Sequence, residues 1–370
     1  MNLDSLRLQI NSLDNEILRL FEQRMKVCKD VAQYKIENNL PVFQNAREQQ
    51  VIERISSMTT DELKNSSALL FTTIMDISKC LQYQKFFSDN TEIESNDFDN
   101  TKALKIACPG TSGSYSEQAG CQIFENGEIV FYKTFDEVFR SVSNGECDFG
   151  IVPIQNSSAG SVTQTYNLLK EYDLHIAAST KVKISHCLAA KDTTDVSQIK
   201  NVYSHEQAIS QCSEFISKNG YNAVSYLNTA LAAQLVSESD EPIAAICSED
   251  CATLHSLKIV ERSIANCEDN YTRFILISKD IYTSKNANII SVSLSLPHTS
   301  SALYRMLTKF SVAGLNLLRI ESRPIASKDF DVLFYLDFEG RIDNKEVQIL
   351  ISELSDEMKE FHFLGNYEEI

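Results

Sequence analysis

The chain has 370 residues, more than one hydrophobic core usually organises, so two or three domains are expected. Its formal net charge of -17 works against a phosphate-backbone partner and excludes nucleic acid on that ground. No apolar run approaches the roughly 20 residues that cross a bilayer, so no membrane span is expected. The opening MNLDSLRLQI has no basic stretch followed by an apolar one, and no secretory signal is expected. From there no glycine occurs before Gly110, and Pro41 is the first proline, so only Pro41 interrupts a helical reading of residues 3–87. Leu6, Ile10, Leu13, Ile17, Leu20, Val27, Val31 and Tyr34 recur at helical spacing and predict a first helix of more than thirty residues. A second helix is expected from about Ala46 to Met58 and a third from about Asp61 to Phe87. A helix this long cannot bury its stripe with so few partners. Pairing with a second copy of the chain is therefore predicted, a plain coiled coil being the competing reading.

The segment SDNTEIESNDFDNT that follows holds five acidic residues and no basic ones, which reads as a solvated linker over about 89–102. From Leu104 the texture changes: LKIAC, EIVFY, FGIVPI, VYS, IAAIC and RFILIS alternate with glycine-bearing loops and helical stretches, an α/β pattern with a mostly parallel sheet. Near Asn288 a last unit begins. Ile290, Val292, Leu294 and Leu296 alternate with serines as a strand, and the order that follows is βαββαβ, a ferredoxin-like α+β pattern. The ten cysteines form no CxxC pair and no zinc-like spacing with histidine, so reduced thiols, a cytoplasmic location and no metal are expected.

Residues 1–90 are close to electrically neutral while later segments carry the acidic excess, so basic groups for an anionic ligand are most available at the N-terminus. Arg24 and Lys35 lie eleven residues apart on one face of the first helix, and Ser78 and Gln82 share a face of the third. Arg7 sits roughly 25 Å up the helix from Arg24, too far for the same pocket, though an antiparallel partner's Arg7 would reach it. Singly, each of these reads as a solvated helix charge. As a set, with Pro41, Arg47-Glu48 and Ser78-xxx-Gln82, residues 1–88 resemble the all-helical chorismate mutase domain. The resemblance implies a dimeric fold in which Lys35, Glu48 and Gln82 act in catalysis. It makes Arg7 from the partner chain, Arg24, Gln44, Arg47 and Ser78 bind substrate. Forked arginines suit the two carboxylates of chorismate, Lys35 and Gln82 its ether oxygen, and Glu48 its hydroxyl. Gln44 stands where this family is expected to carry an aspartate.

In the central module, the loop Pro109 to Ser116 follows a strand and precedes a helix, so its N–H groups could cradle an anion. The loop GIVPIQNSSAGS repeats that arrangement, with Asn156, Ser157 and Ser158 at the expected helix start, where simple capping competes. Neither loop matches a nucleotide fingerprint, and no cofactor is expected. With the runs Val202 to Gln207 and Asn270 to Phe274 they resemble prephenate dehydratase over 103–280. That resemblance implies a two-lobed α/β domain similar to periplasmic binding proteins. In it, Thr272 is the catalytic donor to the departing hydroxide, Asn156, Ser204 and Gln207 orient substrate, and Arg273 takes a carboxylate. His205 is open between general acid and structural hydrogen bond. Gln155 replaces the usual glutamate.

Residues 288–370 resemble an ACT regulatory domain, with Glu321, Ser322, Arg323 and Pro324 matching its phenylalanine-binding motif. The counterpart motif usually begins with glycine and here reads Ser301, Ala302, Leu303. Together the resemblances imply a homodimeric or larger bifunctional enzyme converting chorismate to prephenate and then phenylpyruvate, with phenylalanine as effector. The departures at Gln44 and Gln155 keep open a ligand-sensing protein with decayed sites, and the C-terminal module could serve dimerisation alone.

Overall fold

The computed structural model describes residues 2–87, 93–102, 104–324 and 332–370. Residues 89–92 of the expected linker, and residue 103 where the second module was expected to begin, lie outside them. The first three elements are helices: α1 (Leu3–Glu37), α2 (Asn45–Met58) and, after one 3-10 turn at Asp61–Leu63, α3 (Lys64–Phe86). Asn2 caps α1 by accepting the Asp4 N–H, and Pro41 lies in the loop that separates α1 from α2. The expected stripe is present and uncovered in the single chain, with Leu13 59% and Ile17 63% exposed.

The central module runs β1 (Asn96–Asp97), β2 (Lys105–Pro109), α4 (Tyr115–Ile123), β3 (Glu128–Tyr132), α5 (Phe135–Ser143), β4 (Phe149–Asn156), β5 (Gly160–Ser161), α6 (Thr163–Tyr172) and β6 (His175–Lys183). It then crosses to β7 (Cys187–Ala190), β8 (Asn201–Ser204), α7 (Glu206–Gln211), α8 (Ser213–Asn219), β9 (Asn222–Ser225), α9 (Thr229–Glu238), β10 (Ile243–Cys247), α10 (Glu249–Leu254) and β11 (Lys258–Glu261). The chain returns through β12 (Tyr271–Ser278) and β13 (Tyr282–Thr283), the latter pairing with β1. Two sheets result where the strand alternation alone suggested one: β3-β2-β4-β12-β6, with β5 on β4, and β11-β7-β10-β8-β9. The short β5 runs against β4, and in the main order of each sheet one strand is opposed to the rest, β12 in the first and β7 in the second. These strands adjoin the two crossings between lobes, at 184–186 and 262–270. Ile106, Ile151 and Leu276 anchor the first lobe's core, and Ala245 and Ile246 face opposite sides of the second sheet into separate clusters.

The last module is β14 (Ile289–Ser295), α11 (Ala302–Ala313), β15 (Leu317–Pro324), β16 (Val332–Glu339), α12 (Lys345–Glu357) and β17 (Phe361–Tyr367). Its sheet order, β15-β16-β14-β17, is the ferredoxin-like arrangement that the βαββαβ pattern predicts. Ile290, Val292 and Leu294 bury against Met306, Phe310 and Leu350.

Contacts divide the chain into two compact units. Residues up to Glu94 join Asn288–Leu364 in one, and Ser95–Ala287 with Gly365–Ile370 form the other. The helical and C-terminal modules, remote in sequence, thus share a unit: α3 packs on α11 and α12 as well as on α1 and α2, and Val42, Tyr83 and Ile349 form a small common core.

Candidate functional site

In the helical module, α1 and α3 lie side by side, and their two polar faces meet. Arg24 Nη1 donates to Ser78 Oγ at 2.5 Å and to the Ile74 carbonyl at 3.4 Å. Eleven residues, about three helical turns, further along α1 the pattern repeats: Lys35 Nζ donates to Gln82 Oε1 at 3.1 Å and to the Val42 carbonyl at 2.7 Å. An ammonium has three N–H donors, so one remains for a ligand. Lys35 is buried, and desolvation pulls its pKa below the ordinary lysine value; Glu48 and Cys28 act the other way, and Lys79 adds to the lowering. Glu48 on α2 therefore lies within electrostatic reach of Lys35. Its carboxylate is held at Oε1 by Lys79 at 3.0 Å and at Oε2 by Arg305 at 2.8 Å. Gln44 occupies the N-cap position of α2 without a side-chain capping bond. Arg47, one residue before Glu48, is exposed and bonds Gln50 at 3.3 Å. Arg7 is exposed near the start of α1 beside Asp4, at 3.5 Å. One chain thus gathers Arg24, Lys35, Ser78 and Gln82 with Glu48 nearby, and leaves Arg7 and Arg47 pointing to solvent.

In the central module, antiparallel pairing of β4 with β12 sets Thr272 opposite Asn156. The Asn156 side-chain oxygen, Oδ1, accepts the N–H groups of Ser158 and Ala159, at 3.0 and 2.9 Å, closing the turn after β4. Its amide nitrogen donates to Asn270 Oδ1 at 2.8 Å and Thr272 Oγ1 at 2.9 Å. Asn156 therefore ends a strand, and α6 begins only at Thr163, so the expected helix start at 156–158 is a strand-closing turn. Because the Thr272 hydroxyl accepts from Asn156, its own proton stays available for donation.

A cleft of about 610 Å³ separates the lobes, lined by Ser158 and Ala159 on one side and by His205, Glu206, Gln207, Ser210 and Gln211 on the other. Asn270, from the second crossing, also lines it, so Thr272 stands behind the wall, joined to it through Asn156. His205 caps α7, its Nδ1 accepting the Gln207 N–H at 3.3 Å. Ser204 is fully buried and donates to the Ile246 carbonyl at 2.6 Å, tying β8 to β10. Arg273 follows Thr272 along a strand, so the pleat turns it to the opposite face, where it pairs with Glu369 at 3.2 Å.

The loop expected to cradle an anion holds one of the chain's own: the Glu117 carboxylate accepts the Gly113 N–H at 2.5 Å and the Ser112 hydroxyl at 3.0 Å. Sequence reasoning passed over His186, which sits at the first crossing. Its Nε2 lies 3.0 Å from Gln211 Oε1, and burial lowers its pKa, with Gln211 opposing, so the ring is neutral near pH 7. Only the crossing of the chain between sheets brings this histidine behind Gln211, which lines the cleft; no spacing marks it.

In the last module, Ser301 immediately precedes α11 with φ +66°, the left-handed conformation that favours glycine. The backbone geometry that would explain a glycine is kept although the residue is serine. Glu321 and Arg323 pair at 3.0 Å on β15, an edge strand.

With these arrangements established, comparison with known proteins is informative. The chorismate mutase type II family matches residues 6–83 and the prephenate dehydratase family residues 106–281. A bifunctional chorismate mutase/prephenate dehydratase from Aquifex aeolicus is 30% identical over 99% of this chain and 97% of its own length. Among solved structures, prephenate dehydratase from Arthrobacter aurescens in complex with L-Phe aligns with a TM-score of 0.66 at 28% identity, covering 72% of this chain and 90% of that one. GqqA, described as a quorum quenching acylase, aligns with a TM-score of 0.65 at 26% identity over 72% of this chain and 98% of that one. Both catalytic families in order, and a relative this similar from end to end, establish that the chain belongs to the bifunctional chorismate mutase/prephenate dehydratases, enzymes that rearrange chorismate to prephenate and convert prephenate to phenylpyruvate.

Proposed function

We propose that the helical module rearranges chorismate with Arg24 and Ser78 on a carboxylate, Lys35 and Gln82 on the ether oxygen, and Glu48 on the hydroxyl. The step is pericyclic and needs no covalent intermediate. The protein holds the compact conformer and places positive charge where the breaking C–O bond builds negative charge. Lys35 keeps one N–H for that oxygen after serving Gln82 and Val42. Arg7 of a second copy completes the site, and the exposed stripe of α1 is the surface that second copy covers. Sedimentation should therefore give at least twice the monomer mass, and a monomer that retains full mutase activity would overturn the crossed site.

The interlobe cleft takes prephenate. Thr272 donates a proton to the departing ring hydroxide as carbon dioxide leaves, the electron pair of the lost carboxylate entering the ring that becomes aromatic. Asn156 and Gln207 orient the substrate, Ser204 supports the strand behind Gln207, and Arg273 acts from the reverse face through Glu369. The observation that carries this reading is the register that sets Thr272 against Asn156, with Asn270 linking them to the cleft wall.

The C-terminal module, read as an ACT domain, takes phenylalanine between Ser301, Ala302, Leu303 and the segment Glu321 to Pro324. A similar dehydratase was solved in complex with L-Phe, and Ser301 has the left-handed backbone that favours a glycine. Ten free cysteines, seven of them buried, suit the reducing cytoplasm, and no described helix is long and apolar enough to cross a membrane. Incubating purified protein with chorismate should yield prephenate and then phenylpyruvate, the second step slowing on addition of phenylalanine. Failure to form either product would favour the sensing reading, and a dehydratase rate unchanged at saturating phenylalanine would remove the effector.

A further inference from the structure

Inside the unit that the helical and C-terminal modules share, buried and half-buried charges from four helices form one network. Asp76, fully buried on α3, takes a forked pair of bonds from Arg305 on α11, Nη2 to Oδ1 at 2.8 Å and Nε to Oδ2 at 3.1 Å. Lys79 lies 3.1 Å from the same Asp76 and 3.0 Å from both Glu48 and Glu357. Lys309 of α11 pairs with Glu357 at 2.9 Å. Burial works to raise the Asp76 pKa, but Arg305, Lys79 and Lys309 outweigh it, and the carboxyl stays ionised below its usual range. An ion pair this deep costs desolvation, so an Arg–Asp fork is weak evidence of stabilisation. What the fork does fix is direction: with the guanidinium anchored on Asp76, Nη2, itself one atom of the fork, aims its second N–H at Glu48 Oε2, 2.8 Å away.

Glu48 is thus held at both oxygens, from α3 by Lys79 and from α11 by Arg305. We propose that Arg305 is a positioning residue of the mutase site: it fixes the Glu48 carboxylate that meets the substrate hydroxyl, so the site is complete only with a helix of the C-terminal module in place. This rests on the assignment of Glu48 to the substrate. Arg305 lies in the first turn of α11, its N–H bonded to the Ser301 carbonyl at 2.9 Å, so the segment assigned to the effector and the group that holds Glu48 are one turn apart.

The test uses the full-length protein. Because Glu48 binds hydroxyl alike in ground and transition states, Arg305→Met should raise the mutase KM for chorismate about tenfold with kcat changed less than about threefold. Arg305→Lys should recover most of that loss. Circular dichroism and the melting temperature of each variant report that the unit holding Arg305 is folded, because the dehydratase residues lie in the other unit. Glu48→Gln should raise KM by a similar factor, and the double variant should be no worse than Glu48→Gln alone, since Arg305 acts only through Glu48. If Arg305→Met does not fold, Arg305→Gln, which keeps a donor without the charge, carries the same expectation. An unchanged KM in the Arg305 variants beside an impaired Glu48→Gln overturns the proposal and leaves Glu48 assigned. An unchanged mutase in Glu48→Gln overturns both.

Discussion

Thr272→Ala is expected to lower phenylpyruvate formation from prephenate by about a hundred- to ten-thousand-fold, the usual worth of a positioned proton donor, while mutase activity stays within about twofold. A threonine hydroxyl is a poor acid. In the role proposed for Thr272 it suffices because loss of carbon dioxide and aromatisation drive the step, and the donor needs only to share its proton with a hydroxide already leaving. Its aim comes from Asn156, whose amide fills an acceptor position on Oγ1 at 2.9 Å and so turns the proton elsewhere. Thr272→Ser keeps the hydroxyl and should keep most of the rate, losing only a packed methyl. Stability should fall little, because the Asn156 amide retains Asn270 at 2.8 Å and does not become an orphaned buried donor. Separate assays with chorismate and with prephenate decide the matter: equal loss of both activities would mean a collapsed fold, and an active Thr272→Ala would place the donor elsewhere.

Much of this was legible before any coordinates. A stretch without glycine and with one proline has little choice but helices, and α1, α2 and α3 begin and end within a few residues of where periodicity and Pro41 place them. Helical spacing likewise put Arg24 and Lys35 on one face and Ser78 and Gln82 on another, and those faces meet. Adjacent residues in a run were harder to assign. Thr272 and Arg273 stand together in sequence, yet on a strand neighbours point to opposite faces, so the motif delivers one to the Asn156 side and the other to Glu369. Ser204 illustrates a different limit: a serine at the end of a strand has a hydroxyl for substrate or for a neighbouring carbonyl, and only the pairing of β8 with β10 reveals the Ile246 oxygen at 2.6 Å.

The charged network of the shared unit was invisible for a stronger reason. Asp76, Lys79, Arg305 and Lys309 each sit on amphipathic helices where a charge ordinarily faces water, and pairs such as Arg305 with Glu48 are 257 positions apart. Their meeting follows from α3 packing on α11 and α12, a docking between modules that no local pattern encodes. The Pro109 to Ser116 loop failed as an anion site for a local reason that was in view: Glu117, in the first turn of α4, supplies the carboxylate itself.

Replacing Lys35 should produce the mirror image of the threonine result. Lys35→Met keeps the length of the side chain and removes the ammonium, and mutase kcat/KM is expected to fall about a hundred- to a thousand-fold, as when one preorganised donor to a developing oxyanion is lost. Dehydratase turnover should be unaffected. The titration of Lys35 gives a second handle. Burial lowers its pKa first, Glu48 and Cys28 oppose this, and Lys79 reinforces it, so the ammonium loses its proton below the ordinary lysine value of about 10.4. The role proposed for Lys35 needs the charged form, and on that assignment mutase activity should fall on the alkaline side earlier than an unperturbed lysine would allow. Stability runs in the opposite sense. A lysine whose folded pKa is depressed disfavours the folded state while it is charged, and that cost is relieved as pH rises from the folded value toward the unfolded one. Over the same alkaline window the mutase should lose rate while the Lys35 contribution to stability improves, a divergence that a general alkaline unfolding would not produce. Lys35→Arg removes the titration, since a guanidinium stays charged beyond pH 12, and whatever activity that variant retains should lack the early limb. Mutase pH profiles of the two proteins, set beside their melting temperatures across the same range, read this directly; an identical alkaline limb in Lys35→Arg would assign the titration to another group and take Lys35 from the ether oxygen.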